Sequence, residues 1–368
     1  MRILVFNHLS GGHHGLYVEQ YASALSRAHD VVAAVPEDLA AELQGKAYEI
    51  DPLPAVEAAP GLAWYNGRRA ELALLRRAIR RARAQHVLHL FADSLLPVLV
   101  GARLDARLSV LLFRPRAHYR GLYGDPMSIA DRGRGLIYEA ILQAWRHRPN
   151  AHAVLTLDPD AARIWAARGG AKAFFVPEPP VPTPRPETRE RNFDCALFGA
   201  LAARKGLAFV ARALTVDSTP IRVAIGGPVD EAYRSALEEE VRTMRNADLD
   251  VELSLRRYSP YEGVQFLAAA RCALVPYVGH LGMSRVLLEA AYAGTPIISH
   301  DRGLVGRLVR ENRLGVTVDC EDPLKLRQAI LGFLGERGAE QQYADALRAF
   351  ADRHSENRFA EYVLAPYG

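Results

Sequence analysis

Short apolar runs alternate with amphipathic segments along the first half of this 368-residue sequence, and the alternation begins again in the second half. In the first half we predict strands at residues 2–6, 30–35, 86–91, 108–113, 151–155 and 174–176, with helices at 16–26 and about 134–147. Strands that alternate with helices are typical of a parallel sheet with helices packed against it. The pattern predicts an α/β chain, which at this length divides into two domains of about 100–200 residues each.

A proline-rich segment interrupts the alternation. Six of the ten residues 177–186 are prolines, which remove backbone hydrogen-bond donors and favour extended chain. After it we predict strands at 194–198, 221–225, 251–255, 273–276 and 295–299, and helices at 206–214, 231–244 and 283–293. We therefore predict Rossmann-like domains at 1–178 and 193–349, joined by a linker at 179–192. A shared ligand is expected in a cleft between the domains, at the carboxyl ends of the strands.

Composition narrows the class of protein. The sequence shows no run of 18 apolar residues and no signal-peptide pattern, and its three widely spaced cysteines imply no disulfide framework. These features predict a cytoplasmic protein. The net charge of +4 permits weak attraction to phosphates or anionic lipid, and no nucleic-acid partner is predicted. Only four of the 46 basic residues are lysines, namely Lys46, Lys172, Lys205 and Lys325.

A glycine-rich loop follows the first predicted strand. Gly11, Gly12 and Gly15 would let the backbone approach a ligand closely, and the next helix offers free amides to an anion. The dinucleotide pattern G-x-G-x-x-G is incomplete because Ser10 stands at its first glycine. Three interpretations stay open: a ligand-binding loop, a turn that binds nothing, and a dehydrogenase in which Glu37 holds a ribose.

A second loop joins a strand end to a helix start at residues 198–206. Gly199 follows the strand, and Arg204 and Lys205 precede the helix, where a positive charge adds to the favourable field of the helix N-terminus. This combination suits a phosphate, because each charge-assisted hydrogen bond contributes about 1.5–3 kcal/mol. The alternative is a solvated loop lysine that binds no ligand.

One carboxylate, Glu289, lies on an otherwise nearly apolar helix predicted at 283–293. A carboxylate that is buried there needs a partner. The axial rise from Ser284 to Glu289 is about 7.5 Å, roughly the distance from the diphosphate to the ribose hydroxyls of one nucleotide. We therefore predict that Glu289 holds a ribose, with a purely structural carboxylate as the alternative.

These motifs resemble those of the retaining glycosyltransferases of the GT-B fold, in particular family 4, the glycosyl transferases group 1. The resemblance covers nearly the whole chain and is most specific in the segment LLEAAYAGTPII at residues 287–298. It implies two Rossmann-like domains facing each other across a cleft, with a C-terminal helix, about 350–368, packed back on the first. It also implies transfer of a sugar, with retention, from a nucleotide diphosphate to a glycan, lipid-linked or small-molecule acceptor, and no separate cofactor.

The resemblance assigns roles to individual residues. It implies phosphate contact by Lys205 and ribose contact by Glu289, and a histidine near the reacting sugar, for which His118 is the candidate. We predict these three as the catalytic residues. The predicted donor-binding residues are Gly11, Gly12, Gly15, Gly199, Arg204, Lys205, Arg257, Tyr258, His280, Gly282, Met283, Ser284, Arg285 and Glu289.

The sequence departs from the family at three positions. The arginine usual after the glycine at 199 is Ala200, the first glutamate of the Glu-x7-Glu motif is Leu281, and the usual acid after the next strand falls near Arg307. Two lost charge-assisted contacts would weaken donor handling by about 3–6 kcal/mol unless other residues replace them. The candidate replacements are Arg204, His280 and Arg285. The departures keep two alternatives open, a non-catalytic nucleotide-sugar binder and a nucleotide-sugar epimerase.

An arginine-rich amphipathic helix is predicted before residue 84. Its cationic side would suit peripheral contact with an anionic membrane, where a lipid-linked acceptor would lie. A solvated helix face is the alternative. The arginines are Arg68, Arg69, Arg76, Arg77, Arg80, Arg81 and Arg83.

No metal site is predicted. His86 and His89 lie three residues apart on a predicted strand, so their side chains point to opposite faces. His13 and His14 are adjacent and have no other ligands near them in the sequence.

Overall fold

Two parallel sheets, one in each half of the chain, form the framework of the protein. The computed structural model describes residues 1–11, 14–54, 63–115, 122–124, 127–182, 184–186, 190–217 and 219–368, with only the backbone of 63–66. The contacts divide these residues into two compact units. Unit 1 comprises the described parts of Met1–His118, Ser128–Pro180 and His354–Gly368, and unit 2 those of Tyr119–Met127 and Val181–Arg353.

The sheet of unit 1 contains seven parallel strands in the order β3-β2-β1-β4-β5-β6-β7. They are β1 (Arg2–Phe6), β2 (Asp30–Pro36), β3 (Glu49–Leu53), β4 (His86–His89), β5 (Arg107–Leu112), β6 (Ala151–Thr156) and β7 (Lys172–Phe175). The sequence patterns did not predict β3, which contains Pro52. A proline is compatible with this strand because β3 lies at the sheet edge, where a missing backbone donor costs little.

Helices cover both faces of this sheet. They are α1 (His14–Ser26), α2 (Glu37–Glu42), α3 (Ala63–Ala82), α4 (Leu96–Leu99), α5 (Ile129–Arg146) and α6 (Pro159–Ala166). One core, which includes Trp145 and Trp165, lies beneath α3, α5 and α6, and a second, which includes Tyr21, lies beneath α1. No helix within the described residues is long and apolar enough to cross a membrane.

The sheet of unit 2 contains six parallel strands in the order β10-β9-β8-β11-β12-β13. They are β8 (Phe193–Phe198), β9 (Arg222–Gly226), β10 (Asp250–Ser254), β11 (Ala270–Val275), β12 (Ile297–His300) and β13 (Gly315–Val318). The helices are α7 (Leu207–Leu214), α8 (Arg234–Asn246), α9 (Pro260–Ala268), α10 (Arg285–Ala293), α11 (Gly303–Glu311), α12 (Pro323–Gly335) and α13 (Ala339–Arg353). Strands β8 and β11 are neighbours, so the loops that follow them meet at one edge of the sheet.

Two helices, rather than one, occupy the C-terminal segment. Helix α13 ends at Arg353, and Phe350 near its end belongs to the core of unit 2. Helix α14 (Glu356–Leu364) belongs to unit 1, where Phe359 packs edge-on against Tyr21 with ring centroids 5.0 Å apart. The single helix that we predicted at about 350–368 is therefore interrupted at residues 354–355, where Ser355 occupies the N-cap position of α14.

The proline-rich segment begins as buried chain. Glu178 is buried and accepts a hydrogen bond of 2.7 Å from the Tyr17 hydroxyl, and residues 179–181 are also buried. The boundary between the two units falls between Pro180 and Val181. The first residues of the predicted linker, 179–181, are thus packed into the protein interior.

Candidate functional site

The loop after β8 is shaped by a glycine that no other residue can replace without strain. Gly206 has φ of +74°, and a Cβ atom at this position would lie 2.2 Å from the Pro276 carbonyl oxygen. The turn at Ala203–Lys205 therefore lies directly against the chain that leaves β11. This close approach brings Lys205 to residues that follow a different strand.

Lys205 is buried in unit 2, and its ammonium group faces an aromatic ring. Its Nζ atom donates a hydrogen bond of 2.7 Å to the Tyr277 hydroxyl and lies 4.0 Å from the centroid of that ring. Burial, and secondarily the charge of Arg204, lower the pKa of Lys205 from 10.5 to about 7, while Glu289 acts in the opposite direction. A buried ammonium with a neutral direct partner gains strongly when an anion binds beside it.

Tyr277 connects the lysine to the start of α10. It follows β11 by two residues, and its hydroxyl is hydrogen-bonded to the side chain of Ser284. Burial raises the pKa of Tyr277, so the phenol stays neutral at physiological pH. Ser284 occupies the N-cap position of α10, yet among the described residues its side chain makes no capping hydrogen bond. The first amides of α10 are therefore not capped by the residue that normally caps them.

Glu289 lies one helical turn after Arg285, and both side chains are buried. The Arg285 Nε atom is 3.2 Å from Glu289 Oε1. Burial raises the pKa of Glu289, while the charges of Arg285 and Lys205 oppose that shift. The carboxylate that sequence analysis singled out thus has a buried cationic partner and lies within electrostatic reach of Lys205.

Arg204 and His280 border this group. The Arg204 side chain is exposed, and its Nη1 atom is 3.1 Å from His280 Nδ1. The His280 ring lies 5.2 Å from the Tyr277 ring. The charges of Lys205 and Arg285 act on the Glu289 carboxylate, and Arg204 adds a third positive charge near Lys205, so the group carries a positive surplus that suits a phosphate or diphosphate.

Apolar packing accounts for one departure from the family motif. Leu281 belongs to a small cluster built around Leu304 and Tyr123, where a glutamate would have to bury its charge. Arg307, near the position of the usual acid, lies with its guanidinium 5.7 Å from the Tyr123 ring centroid and its Nε atom 2.7 Å from Glu311 Oε1. These two positions are part of a packed surface of unit 2.

The loop after β10 presents an aromatic and a cationic group. The Tyr258 ring packs edge-on against Phe198, the last residue of β8, with centroids 5.3 Å apart. The Arg256 guanidinium lies 3.9 Å from the Tyr258 ring centroid, and Arg257 is exposed. The Arg257 carbonyl accepts a hydrogen bond from Arg256 Nη1, and Tyr258 lies beside the end of the strand that leads to Gly199.

Not every predicted site residue belongs to this group. Gly11 and Gly15 are in unit 1, and a Cβ atom on Gly15 would lie 2.9 Å from a Leu39 methyl carbon, so close packing of α1 on α2 already requires that glycine. Gly12 and His118 lie outside the described residues. The structure therefore brings together Lys205, Ser284, Arg285 and Glu289 of unit 2, with Arg204 and His280 beside them.

Sequence analysis missed Tyr277. Its hydroxyl contact with Lys205 joins residues 72 positions apart, so no local pattern shows it. The available signal was its place directly after a predicted strand, at the sheet edge where ligands of α/β proteins bind.

Comparisons with known proteins give the fold and the family of one region. Residues 192–336 match the family model described as glycosyl transferases group 1. The D-inositol 3-phosphate glycosyltransferase of Acidothermus cellulolyticus is 29% identical over 170 residues, which are 45% of this chain and 37% of that protein. The chain thus spans well under half the length of this relative.

Solved structures resemble the whole chain. Sucrose-phosphate synthase from Thermosynechococcus elongatus has a TM-score of 0.76 at 15% identity, with 100% of this chain and 98% of that chain covered. Anabaena Alr3699/HepE in complex with UDP has a TM-score of 0.73 at 14% identity, covering 100% and 99%. The lipopolysaccharide glycosyltransferase WaaG has a TM-score of 0.69 at 16% identity, covering 99% of each chain. The protein therefore has the GT-B fold of two Rossmann-like α/β domains, and its residues 192–336 match the glycosyl transferases group 1.

Proposed function

We propose that the protein is a glycosyltransferase that moves a sugar from a nucleoside diphosphate to an acceptor with retention of anomeric configuration. The observation that carries the proposal is the buried Lys205–Glu289 pair at the carboxyl edge of the unit 2 sheet, in the region that matches glycosyl transferases group 1. A buried cation and a buried carboxylate in one site suit the two polar ends of one nucleoside diphosphate.

The phosphates would bind between the two loops that Gly206 holds together. Lys205 would donate to a diphosphate oxygen, and the first amides of α10 after Ser284 would donate to another. Arg285 would offset part of the charge that develops on the leaving diphosphate. Since Lys205 has a pKa near 7, a bound diphosphate would draw a proton onto the amine and restore the ammonium form.

The nucleoside would lie along the ends of β8 and β10. Glu289, held by Arg285, would accept hydrogen bonds from the ribose hydroxyls. The Tyr258 ring, stacked under the Arg256 guanidinium, would form a wall for the base. Uracil is the first base to test, because Anabaena Alr3699/HepE was solved with UDP and with UDP-glucose.

For the anomeric configuration to be retained, the acceptor must attack the same face of the sugar ring from which the diphosphate departs. The bond between the anomeric carbon and the phosphate oxygen breaks, and a bond to the acceptor oxygen forms on the same face. The proton of the acceptor hydroxyl passes to the departing phosphate oxygen, so no protein base is required. The residues of unit 2 described above would then act by holding the diphosphate and not by proton transfer.

A thermal-shift screen with UDP, GDP, ADP, TDP and their sugars tests donor binding. We expect one nucleotide diphosphate to raise the melting temperature of the wild type but not that of Lys205→Ala or Glu289→Ala. Stabilisation by NADH alone would instead support a dehydrogenase, and a wild type indifferent to every nucleotide would contradict the proposal.

Product analysis with the stabilising sugar nucleotide separates transfer from its alternatives. Transfer consumes donor and yields a product of retained configuration only when acceptor is present. Conversion of the donor without an acceptor would identify an epimerase. Stabilisation without turnover on glycan, lipid-linked or small-molecule acceptors would identify a binding protein, which is the alternative that Ala200 and Leu281 keep open.

We further propose that the acceptor is lipid-linked and that unit 1 contacts an anionic membrane. Helix α5 exposes three large apolar side chains, Ile129 at 85%, Leu136 at 68% and Ile137 at 63%. Arg132 and Arg134 on the same helix are exposed beside them, with Arg134 in a surface ion pair with Asp131. An apolar stripe flanked by cations matches the chemistry of an anionic lipid surface better than that of water.

The arginine-rich helix contributes less to this surface than its sequence suggests. Arg81 pairs with Asp51, Arg68 pairs with Glu71, and Arg76 donates to the Arg103 carbonyl. These three side chains are engaged within unit 1, while Arg77 and Arg80 are exposed. We therefore place the main lipid contact on α5 and give α3 a supporting electrostatic role.

A further inference from the structure

Three side chains of unit 1 converge at the carboxyl edge of its sheet. His8 follows β1, His89 ends β4, and Glu71 lies on α3. Strands β1 and β4 are paired so that Phe6 lies opposite His89, which brings the chain after β1 alongside the end of β4. The His8 Nδ1 and His89 Nε2 atoms are 3.1 and 3.2 Å from the same oxygen, Glu71 Oε1. We call these residues the His8–Glu71–His89 cluster.

The cluster is removed from water, and its converging atoms lack ordinary partners. His89 is fully buried, Glu71 is 1% exposed, and the His8 side chain is 7% exposed. Among the described residues, His8 Nδ1, Glu71 Oε1 and His89 Nε2 form no hydrogen bond of acceptable geometry. Buried polar atoms that make no hydrogen bond are uncommon in folded proteins, and here three point at one another.

The tautomer of His89 indicates what the cluster lacks. The His89 Nδ1 atom is 2.7 Å from the carbonyl oxygen of Leu90, and a carbonyl oxygen can only accept, so Nδ1 carries a proton. In a neutral imidazole, the lone pair on Nε2 then faces the carboxylate oxygen of Glu71. Two acceptors at 3.2 Å repel each other unless a proton or a metal cation lies between them.

The surroundings have the features of a metal site's outer shell. A histidine that binds a metal commonly donates its second ring N–H to a backbone carbonyl, as His89 does to Leu90. The Arg68 Nη1 atom donates to Glu71 Oε2 at 2.8 Å, which fixes the carboxylate and leaves Oε1 directed at the two histidines. Zinc bonds of about 2.0–2.1 Å in tetrahedral geometry place neighbouring ligand atoms about 3.3 Å apart, close to the two observed separations.

We propose that the His8–Glu71–His89 cluster is a binding site for a divalent transition metal such as Zn²⁺. Two imidazoles and one carboxylate form a donor set that suits such ions better than Mg²⁺ or Ca²⁺. The nearby charged and titratable groups are Arg68 and His14, and Arg68 offsets the charge of Glu71 without occupying Oε1. The sequence did not predict the site, because it compared His89 only with His86 on its own strand.

Metal titration of tag-free protein, stripped with a chelator, tests the site. We expect one equivalent of Co²⁺ to bind with the visible absorption of a four- or five-coordinate ion, and one equivalent of Zn²⁺ to abolish that absorption. His8→Ala and Glu71→Gln should each weaken binding by more than about 100-fold, beyond the 10–100-fold typical of outer-shell changes. Metal binding is measured independently of sugar transfer. The metal-site proposal can therefore fail while the proposed function stands, and the proposed function can fail while the metal site stands.

Two further variants keep the result interpretable. Arg68→Gln leaves all three ligands in place and should weaken binding by about 10–100-fold. His300→Ala alters another cluster, His300, Asp319 and Glu321, in which Arg302 already lies 2.7 Å from Glu321, and should leave Co²⁺ binding unchanged. Circular dichroism of the stripped proteins shows whether each variant is folded. Absence of Co²⁺ binding to folded wild type, or equal binding by folded His8→Ala and Glu71→Gln, would overturn the proposal.

Discussion

The ammonium group of Lys205 and the hydroxyl of Tyr277 are 2.7 Å apart in the interior of unit 2. The direct partner of this buried cation is therefore a neutral phenol, and the lysine is held in place without being neutralised. Because burial lowers its pKa to about 7, Lys205 lies near the midpoint of its titration at physiological pH. A bound anion would decide its protonation state, which makes donor binding sensitive to pH.

We expect the affinity for a nucleoside diphosphate to fall as the pH rises above about 7. Binding in this range requires proton uptake by Lys205, which costs at most about 1.4 kcal/mol, or tenfold in affinity, per pH unit. Isothermal titration of UDP in buffers of different ionisation enthalpy measures the uptake directly. Lys205→Ala should lose the slope and about 10–150-fold in affinity, whereas Lys325→Ala, at an exposed lysine of α12, should keep both. A flat wild-type profile between pH 7 and 9 would contradict this expectation.

We also expect the buried charge of Lys205 to lower the free energy of unfolding of the protein. The unfolded chain has the ordinary lysine pKa of 10.5 and the native state about 7, so between these values the unfolded state binds more protons. The free energy of unfolding therefore rises with pH across this window, by at most about 1.4 kcal/mol per unit from this group. Lys205→Met should be more stable than the wild type at pH 6, with the difference shrinking towards pH 10. Urea denaturation at pH 6, 8 and 10 tests this, and a less stable Lys205→Met at pH 6 would refute it.

Glu289→Gln should affect the nucleoside and not the phosphates. The change removes the acceptor charge for the ribose hydroxyls and leaves Arg285 buried beside a neutral amide, so we expect about 10–150-fold weaker UDP binding. Pyrophosphate binding should be retained, whereas Lys205→Ala should weaken both. Glu311→Gln is a matched control, because Arg307 and Glu311 form a partly exposed pair with the same i,i+4 spacing. Equal loss of UDP and pyrophosphate affinity in Glu289→Gln would remove the ribose assignment.

The sequence predicted the parts of the fold that local patterns determine. The strand at residues 2–6 matches β1, and most other predicted strands lie within a few residues of the observed ones, because each is a short apolar run bounded by polar turns. Strand β3 was missed because Pro52 interrupts its run and a sheet-edge position makes that proline acceptable. The break between α13 and α14 was missed because the C-terminal helix was placed by the family resemblance; the polar run at residues 352–358, with Ser355 at the N-cap of α14, was the local signal for it.

Contacts between distant residues could not be predicted from the sequence. Lys205 and Glu289 were recognised because each stands out locally, a rare lysine beside a helix start and a carboxylate on an apolar helix. Tyr277 was missed because its role depends on the neighbouring positions of β8 and β11. The His8–Glu71–His89 cluster needs the pairing of β1 with β4 and the placement of α3, none of which is visible in the spacing of histidines.

Introducing an arginine at position 200 tests whether Arg204 replaces the arginine that is usual there in the family. Ala200 is exposed, and Arg204 in the same loop borders Lys205 and contacts His280 of the loop after β11. If Arg204 replaces the usual arginine, Arg204→Gln should weaken donor binding by about 10-fold or more, and adding Ala200→Arg in that background should recover most of the loss. Affinities from titration with the best nucleotide provide the comparison. Arg212→Gln, on α7, should change nothing, and an unaffected Arg204→Gln would show that position 204 is not the replacement.

The apolar stripe of α5 should determine binding to anionic vesicles. The double change Leu136→Ser and Ile137→Ser removes two exposed apolar side chains without disturbing the core, so folding should be preserved. We expect the wild type to co-sediment with phosphatidylglycerol vesicles but not with phosphatidylcholine, and the double variant to lose most of this binding.

Leu324→Ser, at a 64% exposed leucine of unit 2, is the control and should bind as the wild type does. Arg76, Arg77, Arg80 and Arg81 changed to Gln should weaken binding only in part, because Arg76 and Arg81 are engaged within unit 1. Vesicle binding unchanged by the loss of Leu136 and Ile137, or a wild type that dimerises through this face in solution, would show that α5 contacts something other than lipid.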